Sequence, residues 1–381
     1  MSIEPVGPGP GIIAGPAHWR ELDLFRAIAA TCMVLNHVAV RSPGVGSPVV
    51  AASELVGGVA PVLFYFATGL GYGVQSAARR PRGSGFLFKV GILLLAASDF
   101  FTFIGLSMLV LEVIRRSRRP EMLAGIVAGL AVAGRFAAGP VLRSTIDQRP
   151  GLRWLGDILG TGGGIGYPLS PWLAFPMFGF LVGRIAARRR EVVGRLGWLP
   201  AGLVGAAIPF GLGSGVMVAR GSILARYGSM NLAYFLAAIA ALALVLALVV
   251  LAVRPARAAG VVGLVSLSGL RSFAVVPLQY LLIESLAAGP GISADPRGFV
   301  GAFVVVLVLS FVGSALIARL AAAMDRPIAR PVAFAVALSL LVAFHAFPPA
   351  TPSGLAAIGL RSAFQLSLCV LLSFRAGPRR A

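Results

Sequence analysis

The run Ala237–Ala252, AAIAALALVLALVVLA, decides the fold class of this chain. It contains no charged residue and no alternation of apolar with polar side chains, and the run Phe299–Ala318 has the same character. A helix that crosses a membrane needs about 20 mostly apolar residues, whereas a spanning strand of a barrel alternates with period two. The two runs therefore predict membrane-spanning helices and exclude barrel strands.

The rest of the chain is almost as apolar. Of its 381 residues, 58% are hydrophobic and 12% are charged, with a mean hydropathy of +0.90, whereas soluble domains carry roughly 25% charged residues. We predict an all-α polytopic transmembrane bundle of about 10–12 spans. The predicted spans are 22–40, 55–76, 84–98, 101–115, 121–139, 168–187, 197–218, 230–253, 260–287, 298–322, 331–348 and 355–374. Asp99 is expected to end a helix.

The tails and the positions of the charged residues predict the domain boundaries and the orientation in the membrane. Segment 1–18 is predicted to be a flexible Gly/Pro-rich tail, 19–376 a single transmembrane domain and 377–381 a basic tail. The net charge of +20 comes from arginines in short clusters between apolar runs, and no basic patch is interleaved with aromatic residues, so nucleic-acid binding is not expected. With the N-terminus inside, these clusters fall on the cytoplasmic side at residues 79–89, 115–119, 184–190, 254–257, 319–330 and 375–380. Both termini are therefore predicted to be cytoplasmic in a bacterial plasma membrane.

The first predicted span holds the densest group of ionisable residues. Such residues are expensive inside a bilayer and are functional candidates. Arg26 and His37 are eleven residues apart, which on a helix is three turns plus about 20° and about 16 Å along the axis. One interpretation is a polar stripe that lines a path across the membrane. In the alternative, Arg26 reaches the interface and pairs with Asp23, while His37 ends the helix beside Asn36.

Other polar and aromatic residues also have two interpretations. Arg271 and Glu284 flank Pro277, whose kink frees backbone groups that often line a cavity, so these two residues are either the wall of a site or a structural ion pair with each other. Tyr167 and Trp172 are either interfacial anchors or a surface for stacking a sugar. The segment 140–167 is expected to be the largest outer loop. The three histidines lie on separate segments without metal-ligand spacing, so no metal site is expected.

Three motifs, in order along the chain, resemble one family. Leu22-Asp23-Leu24-Phe25-Arg26-Ala27-Ile28-Ala29, continuing to His37, is similar to the opening signature of the membrane acyltransferase superfamily, which includes acyltransferase family 3 and heparan-alpha-glucosaminide N-acetyltransferase-like proteins. Pro61–Gly69 resembles its Pro/Phe-rich second span. Tyr167–Phe175, followed by Gly179 and Gly183-Arg184, resembles the Pro-Trp-Leu span of the glucosaminide branch.

The resemblance implies transfer of an acyl group, commonly acetyl, from cytoplasmic acyl-CoA to a hydroxyl or amine of a sugar-containing or glycolipid acceptor on the outer face. Acyl-CoA would be a donor substrate, with no permanently bound cofactor. His37 would act as general base or acyl acceptor, and Arg26 would hold donor phosphates. Substrate or donor contacts are expected at Asp23, Asn36, Tyr65, Trp172, Gln279 and Glu284.

One departure concerns the late span, where relatives often have a histidine and this chain has Gln279. A carboxamide can donate a hydrogen bond but cannot relay a proton at pH 7. The main alternative function is a transporter or flippase for a lipid-linked or small polar substrate, and a non-catalytic membrane scaffold is a third. The oligomeric state is left open by the sequence.

Overall fold

The computed structural model is all-helical over the residues that it describes, which are 19–42, 47–77, 85–95, 98–160, 166–189, 197–222, 230–253, 272–288, 291–292, 295–323 and a few single positions between 332 and 367. The helices are α1 (Arg20–Arg41), α2 (Pro48–Gly57), α3 (Ala60–Ala77), α4 (Gly85–Leu95), α5 (Asp99–Arg116), α6 (Pro120–Ala133), α7 (Gly139–Gln148), α8 (Arg153–Leu159), α9 (Leu169–Trp172), α10 (Ala174–Arg188), α11 (Leu199–Ala219), α12 (Leu232–Val253), α13 (Ser272–Ala288) and α14 (Pro296–Ala323). A π-helical turn, Gly134–Ala138, joins α6 to α7.

Within the described ranges, seven helical segments are long and apolar enough to cross a membrane. They are Arg20–Arg41, Pro48–Ala77, Pro120–Gln148, Leu169–Arg188, Leu199–Ala219, Leu232–Val253 and Pro296–Ile317. This confirms the predicted all-α polytopic bundle. The predicted spans 331–348 and 355–374 and the predicted tails 1–18 and 377–381 lie outside the described residues.

Arginine-rich helix ends gather at one end of the bundle, called here the basic end. The Nε of Arg184 and the Nη1 of Arg188 both lie 2.7 Å from Oε1 of Glu121, at the start of α6. Arg184 Nη1 also donates a hydrogen bond to Ser76 Oγ at 2.7 Å, so α3, α6 and α10 meet there. The other end, called the His37 end, contains the end of α1. Which end faces the cytoplasm remains a prediction.

The closest helix pair among the described residues is α3 with α10, and glycines account for it. A Cβ added at Gly69 would overlap the carbonyl oxygen of Pro176, and one added at Gly179 would overlap that of Phe66. Gly73 and Gly183, one turn further along each helix, meet the opposite backbone in the same way. Small residues four apart let membrane helices approach until their backbones touch, and this contact fixes the centre of the bundle.

The prediction that segment 140–167 forms an outer loop is wrong. Helix continues from Pro120 through the π turn to Gln148, and α8 follows after a short 3-10 turn, Pro150–Leu152. The 29 residues of this helix extend about 43 Å at 1.5 Å per residue, beyond the roughly 30 Å of hydrocarbon. Its exposed final part, α7, carries an ion pair between Arg143 and Asp147 at 3.8 Å.

Two helices, α4 and α5, correspond to the predicted spans 84–98 and 101–115. α4 has 11 residues and α5 has 18, and they pack against each other as a hairpin. Asp99 was expected to end a helix, but it begins α5, where a carboxylate is favoured by the helix dipole. Its Oδ2 also accepts a hydrogen bond from the backbone N–H of Gly166 at 2.9 Å, which ties the start of α5 to the segment before α9.

Candidate functional site

His37 lies near the end of α1 and contacts α13. Its Nε2 is 2.9 Å from the hydroxyl oxygen of Tyr280, and the two rings are 4.5 Å apart between centroids. His37 is half-buried, whereas Tyr280 is 36% exposed. The imidazole is thus within hydrogen-bond distance of a hydroxyl on its partly exposed side.

A second contact between α1 and α13 lies one helical turn beyond the contact of His37 with Tyr280. Nη2 of Arg41 lies 2.5 Å from Oε1 of Glu284. Both pairs, His37 with Tyr280 and Arg41 with Glu284, are separated by 243 positions in the sequence. A constant separation means that the residues on both helices advance together, so α1 and α13 run parallel. Glu284 is therefore half of an ion pair at the rim of the His37 site, and Arg271 lies outside the described residues.

Gln279 lies on the buried side of the same site. It is completely buried, and its side chain is close enough to the His37 ring to interact with it. Neither His37 Nδ1 nor the carboxamide of Gln279 has a hydrogen-bond partner among the described residues. Since two buried polar groups without partners are costly, a small rotation of the carboxamide that pairs its oxygen with an N–H at Nδ1 would be favourable.

Asn36 is adjacent to His37 in the sequence but lies on a different face of α1. It is 4% exposed and faces α2, where the position of a Cβ at Gly57 would be 2.5 Å from the Asn36 backbone nitrogen. The side chain is therefore enclosed between α1 and α2. It does not share the open face on which His37 meets Tyr280.

Arg26 lies on α1 toward the basic end, against α3. Its Nη1 is 3.8 Å from Oδ1 of Asp23, and its Nη2 would be 2.9 Å from a Cβ added at Gly71. Asp23 is 2% exposed, while the Arg26 side chain keeps 23% of its surface exposed. The guanidinium is therefore paired at one edge and partly accessible, an arrangement that includes the predicted Asp23 partner.

The face of α1 between Arg26 and His37 is filled. Ala30 and Met33 are the residues that helical spacing puts on this face, and they are 0% and 4% exposed. The predicted path across the membrane is therefore closed in this conformation by a packed apolar layer. The sequence interpretation of an open polar stripe does not hold here.

Tyr65 and Trp172, two of the predicted substrate contacts, pack against each other and not against His37. Both are fully buried in an aromatic cluster, with their rings 5.7 Å apart, edge to face. Tyr167 contacts both of them, at 5.3 Å from Tyr65 and 4.9 Å from Trp172. Because these rings enclose one another, Trp172 is a core residue of the bundle, and a sugar could stack on it only after the cluster opens.

Tyr280 and Arg41 are the site residues that sequence reasoning missed. The signal was a matched spacing: His37 and Arg41 are four residues apart, and so are Tyr280 and Glu284. Residues four apart share a helix face, but the match has meaning only when α1 and α13 are known to be neighbours. No group of three or more potential metal ligands occurs in the part of the chain that the structure describes.

Comparison with known proteins assigns no family to this chain. No protein-family model, no curated protein and no solved structure matches it. What the His37 site does has to be inferred from its own residues and from the resemblance of the three motifs.

Proposed function

We propose that this protein is an integral membrane acyltransferase that moves an acyl group from acyl-CoA to a hydroxyl or amine of a sugar-containing acceptor, with His37 as general base. The observation that carries the proposal is the 2.9 Å contact between His37 Nε2 and a partly exposed hydroxyl. Imidazole is the side chain most suited to proton transfer near neutral pH. The resemblance of the segment from Asp23 to His37 to the membrane acyltransferase superfamily supports acyl transfer as the reaction class.

The chemistry follows from that contact. An acceptor hydroxyl takes the place of the Tyr280 hydroxyl, and Nε2 removes its proton as the oxygen bonds to the carbonyl carbon of the thioester. The carbon–sulfur bond then breaks, and the leaving thiolate takes the proton back from the imidazolium. This cycle requires the neutral ring to carry its proton on Nδ1, and Gln279 is the residue positioned to accept a hydrogen bond from it.

Donor binding is proposed at the basic end. Arg26 stays charged, and its planar guanidinium suits phosphate oxygens; 23% of its side chain is exposed. Arg26 and His37 are about 16 Å apart along α1, and the layer of Ala30 and Met33 lies between them. An extended donor anchored at Arg26 therefore has to displace this layer to bring its thioester to His37.

The test is transfer activity of purified His37→Gln protein, with acetyl-CoA as donor and a glycolipid extract as acceptor. Glutamine keeps the size and hydrogen bonding but cannot accept a proton, so we expect transfer to fall about 10²–10⁴-fold. Asn36→Ala is the control, because Asn36 is adjacent but faces α2. Near-full activity in a folded His37→Gln protein would rule the mechanism out.

A transporter or flippase is the second candidate, and the closed layer at Ala30 and Met33 favours it. A transporter has to separate its two polar ends in each resting conformation, which this layer does. Substrate movement into vesicles without consumption of acyl-CoA, retained in His37→Gln, is the result expected of a transporter.

A further inference from the structure

A cavity of about 460 Å³ lies at the basic end, away from the His37 site. Its wall comes from α1, α3, α10, α11 and α12, and it is aliphatic or phenyl except at two residues, Trp19 and Glu21. Glu21 and His37 are sixteen residues apart, about 24 Å along α1. The cavity is therefore separate from the His37 site.

The cavity reaches the surface that faces lipid. Val182 and Ile185, two of its wall residues on α10, are 37% and 56% exposed. Both lie on a segment long and apolar enough to cross the membrane. At that depth the surrounding medium is lipid, and an apolar cavity beside it is suited to a hydrocarbon chain.

The charge at the mouth of the cavity restricts which lipid headgroup can bind there. Among the described residues, Glu21 is the only ionisable side chain in the wall, and it has no hydrogen bond or ion pair with any of them. It lies in the first turn of α1, where the helix dipole stabilises negative charge. Arg20, beside it, is exposed. A carboxylate in the wall and a guanidinium on the adjacent, exposed residue match a headgroup that carries both an ammonium and a phosphate.

We propose that this cavity binds an amine-headed phospholipid, phosphatidylethanolamine, from the leaflet at the basic end. One acyl chain fills the cavity, the ammonium donates hydrogen bonds to Glu21, and the phosphate lies at Arg20. Phosphatidylcholine has no N–H to donate to the carboxylate, and phosphatidylglycerol has no cation. The site therefore distinguishes headgroups as well as holding a chain.

Trp19 allows the binding to be measured, because its indole lines the cavity. The full-length protein is placed in nanodiscs of phosphatidylcholine that contain a minor fraction of lipid with brominated chains, and bromine quenches nearby indoles. The signal of interest is the quenching in wild type beyond that in Trp19→Phe, since three other tryptophans are present. We expect brominated phosphatidylethanolamine to quench Trp19 at about two- to five-fold lower concentration than brominated phosphatidylcholine or phosphatidylglycerol, the range for a partly exposed ion pair.

Two kinds of variant separate the headgroup from the chain. Glu21→Gln should make the three lipids equal without abolishing quenching. Ala186→Phe, which fills the cavity from α10, should abolish it, whereas Ala187→Phe, next to it but outside the wall, should not. Val250→Phe makes the same test from α12 if Ala186→Phe does not fold. Equal quenching by all three lipids in wild type overturns the headgroup assignment, and no quenching by any of them overturns lipid binding altogether.

Discussion

At the scale of single residues, the His37 imidazole has one hydrogen-bond partner among the described residues, Tyr280, and a buried carboxamide, that of Gln279, close to its ring. Nε2 meets the hydroxyl of Tyr280 at 2.9 Å, and the ring also interacts with the buried side chain of Gln279. Gln279 was expected from the sequence to be a weak substitute for a histidine, and its position suggests an orienting role instead. Tyr280 could not be predicted, because a tyrosine on an apolar span has no distinguishing pattern until the facing helix is known.

The hydroxyl of Tyr280 gives the first prediction. Tyr280→Phe keeps the ring that packs on His37 and removes the competitor for Nε2, so we expect kcat within about threefold of wild type and a lower KM for the acceptor. Steady-state kinetics with varied acceptor measure both constants. A loss of kcat as large as that of His37→Gln would instead identify Tyr280 as a proton relay.

The pair of Arg26 and Asp23 gives the second prediction. Arg26→Gln leaves the carboxylate of Asp23, which is 2% exposed, without the guanidinium, and breaking a buried pair costs about 3–5 kcal/mol. The double variant Asp23→Asn/Arg26→Gln removes both charges and should recover most of this stability. Thermal unfolding in detergent compares the three proteins.

The same double variant tests the proposed donor site in a protein that should keep most of its stability. We expect its affinity for acetyl-CoA to fall and the remaining binding to lose part of its dependence on salt, because phosphate contacts are screened by ions. Calorimetry at low and high salt gives both quantities. Unchanged affinity in the folded double variant would show that Arg26 and Asp23 are only a structural pair.

At the scale of helices, the predicted spans agree with the structure where apolar runs are continuous, as in α12, and differ where polar residues intervene. The span 121–139 was predicted to be followed by a loop, yet helix continues to Gln148. The reason is the π turn that joins α6 to α7, held by Arg135, whose Nε donates to the carbonyl oxygen of Met230 at 2.8 Å and whose Nη1 donates to that of Gly160 at 2.5 Å. Long-range contacts of this kind have no local sequence pattern.

The contact between α3 and α10 gives the third prediction. Gly179→Ala would place a methyl group on the carbonyl oxygen of Phe66, and backbone cannot move aside as a flexible side chain can. We expect a loss of about 1–3 kcal/mol or more, as overpacking usually costs. Gly129→Ala on α6 is the matched control, since no atom of another helix lies within 4 Å of its added Cβ. It should be neutral or slightly stabilising in the same unfolding assay.

At the scale of the whole molecule, two of the arginine clusters that were predicted to share one side of the membrane lie at the same end of the bundle. Arg115 lies in the last turn of α5, six residues before Glu121, and Glu121 pairs with Arg184, so both arginine clusters lie at the basic end. The sequence could predict that these clusters share one end, because the orientation of spans in the membrane follows the arginines in the loops and does not depend on tertiary contacts. It could not predict that Ala30 and Met33 close the face between Arg26 and His37, since that depends on which helices cover α1.

Orientation is the fourth prediction. In a background with Cys32 and Cys369 changed to serine, Asp295→Cys at the His37 end should react with a membrane-impermeant maleimide on intact cells, and Arg189→Cys at the basic end should react only after lysis. Mass-tagged labelling on gels measures both. Labelling of Arg189→Cys from outside would reverse the assignment of the two sides and would place donor binding away from the pool of soluble acyl-CoA.

The glycine contact between α3 and α10 also constrains the timing of biosynthesis. Gly69 emerges about 110 residues before Gly179, and at roughly 5–20 residues per second the delay is roughly 5 to 20 s. During that interval the glycine face of α3 has no partner helix and must be covered by lipid, by the insertion machinery or by α1. A ribosome that pauses before α10 would prolong this exposure, so slow translation there should increase degradation of the nascent chain.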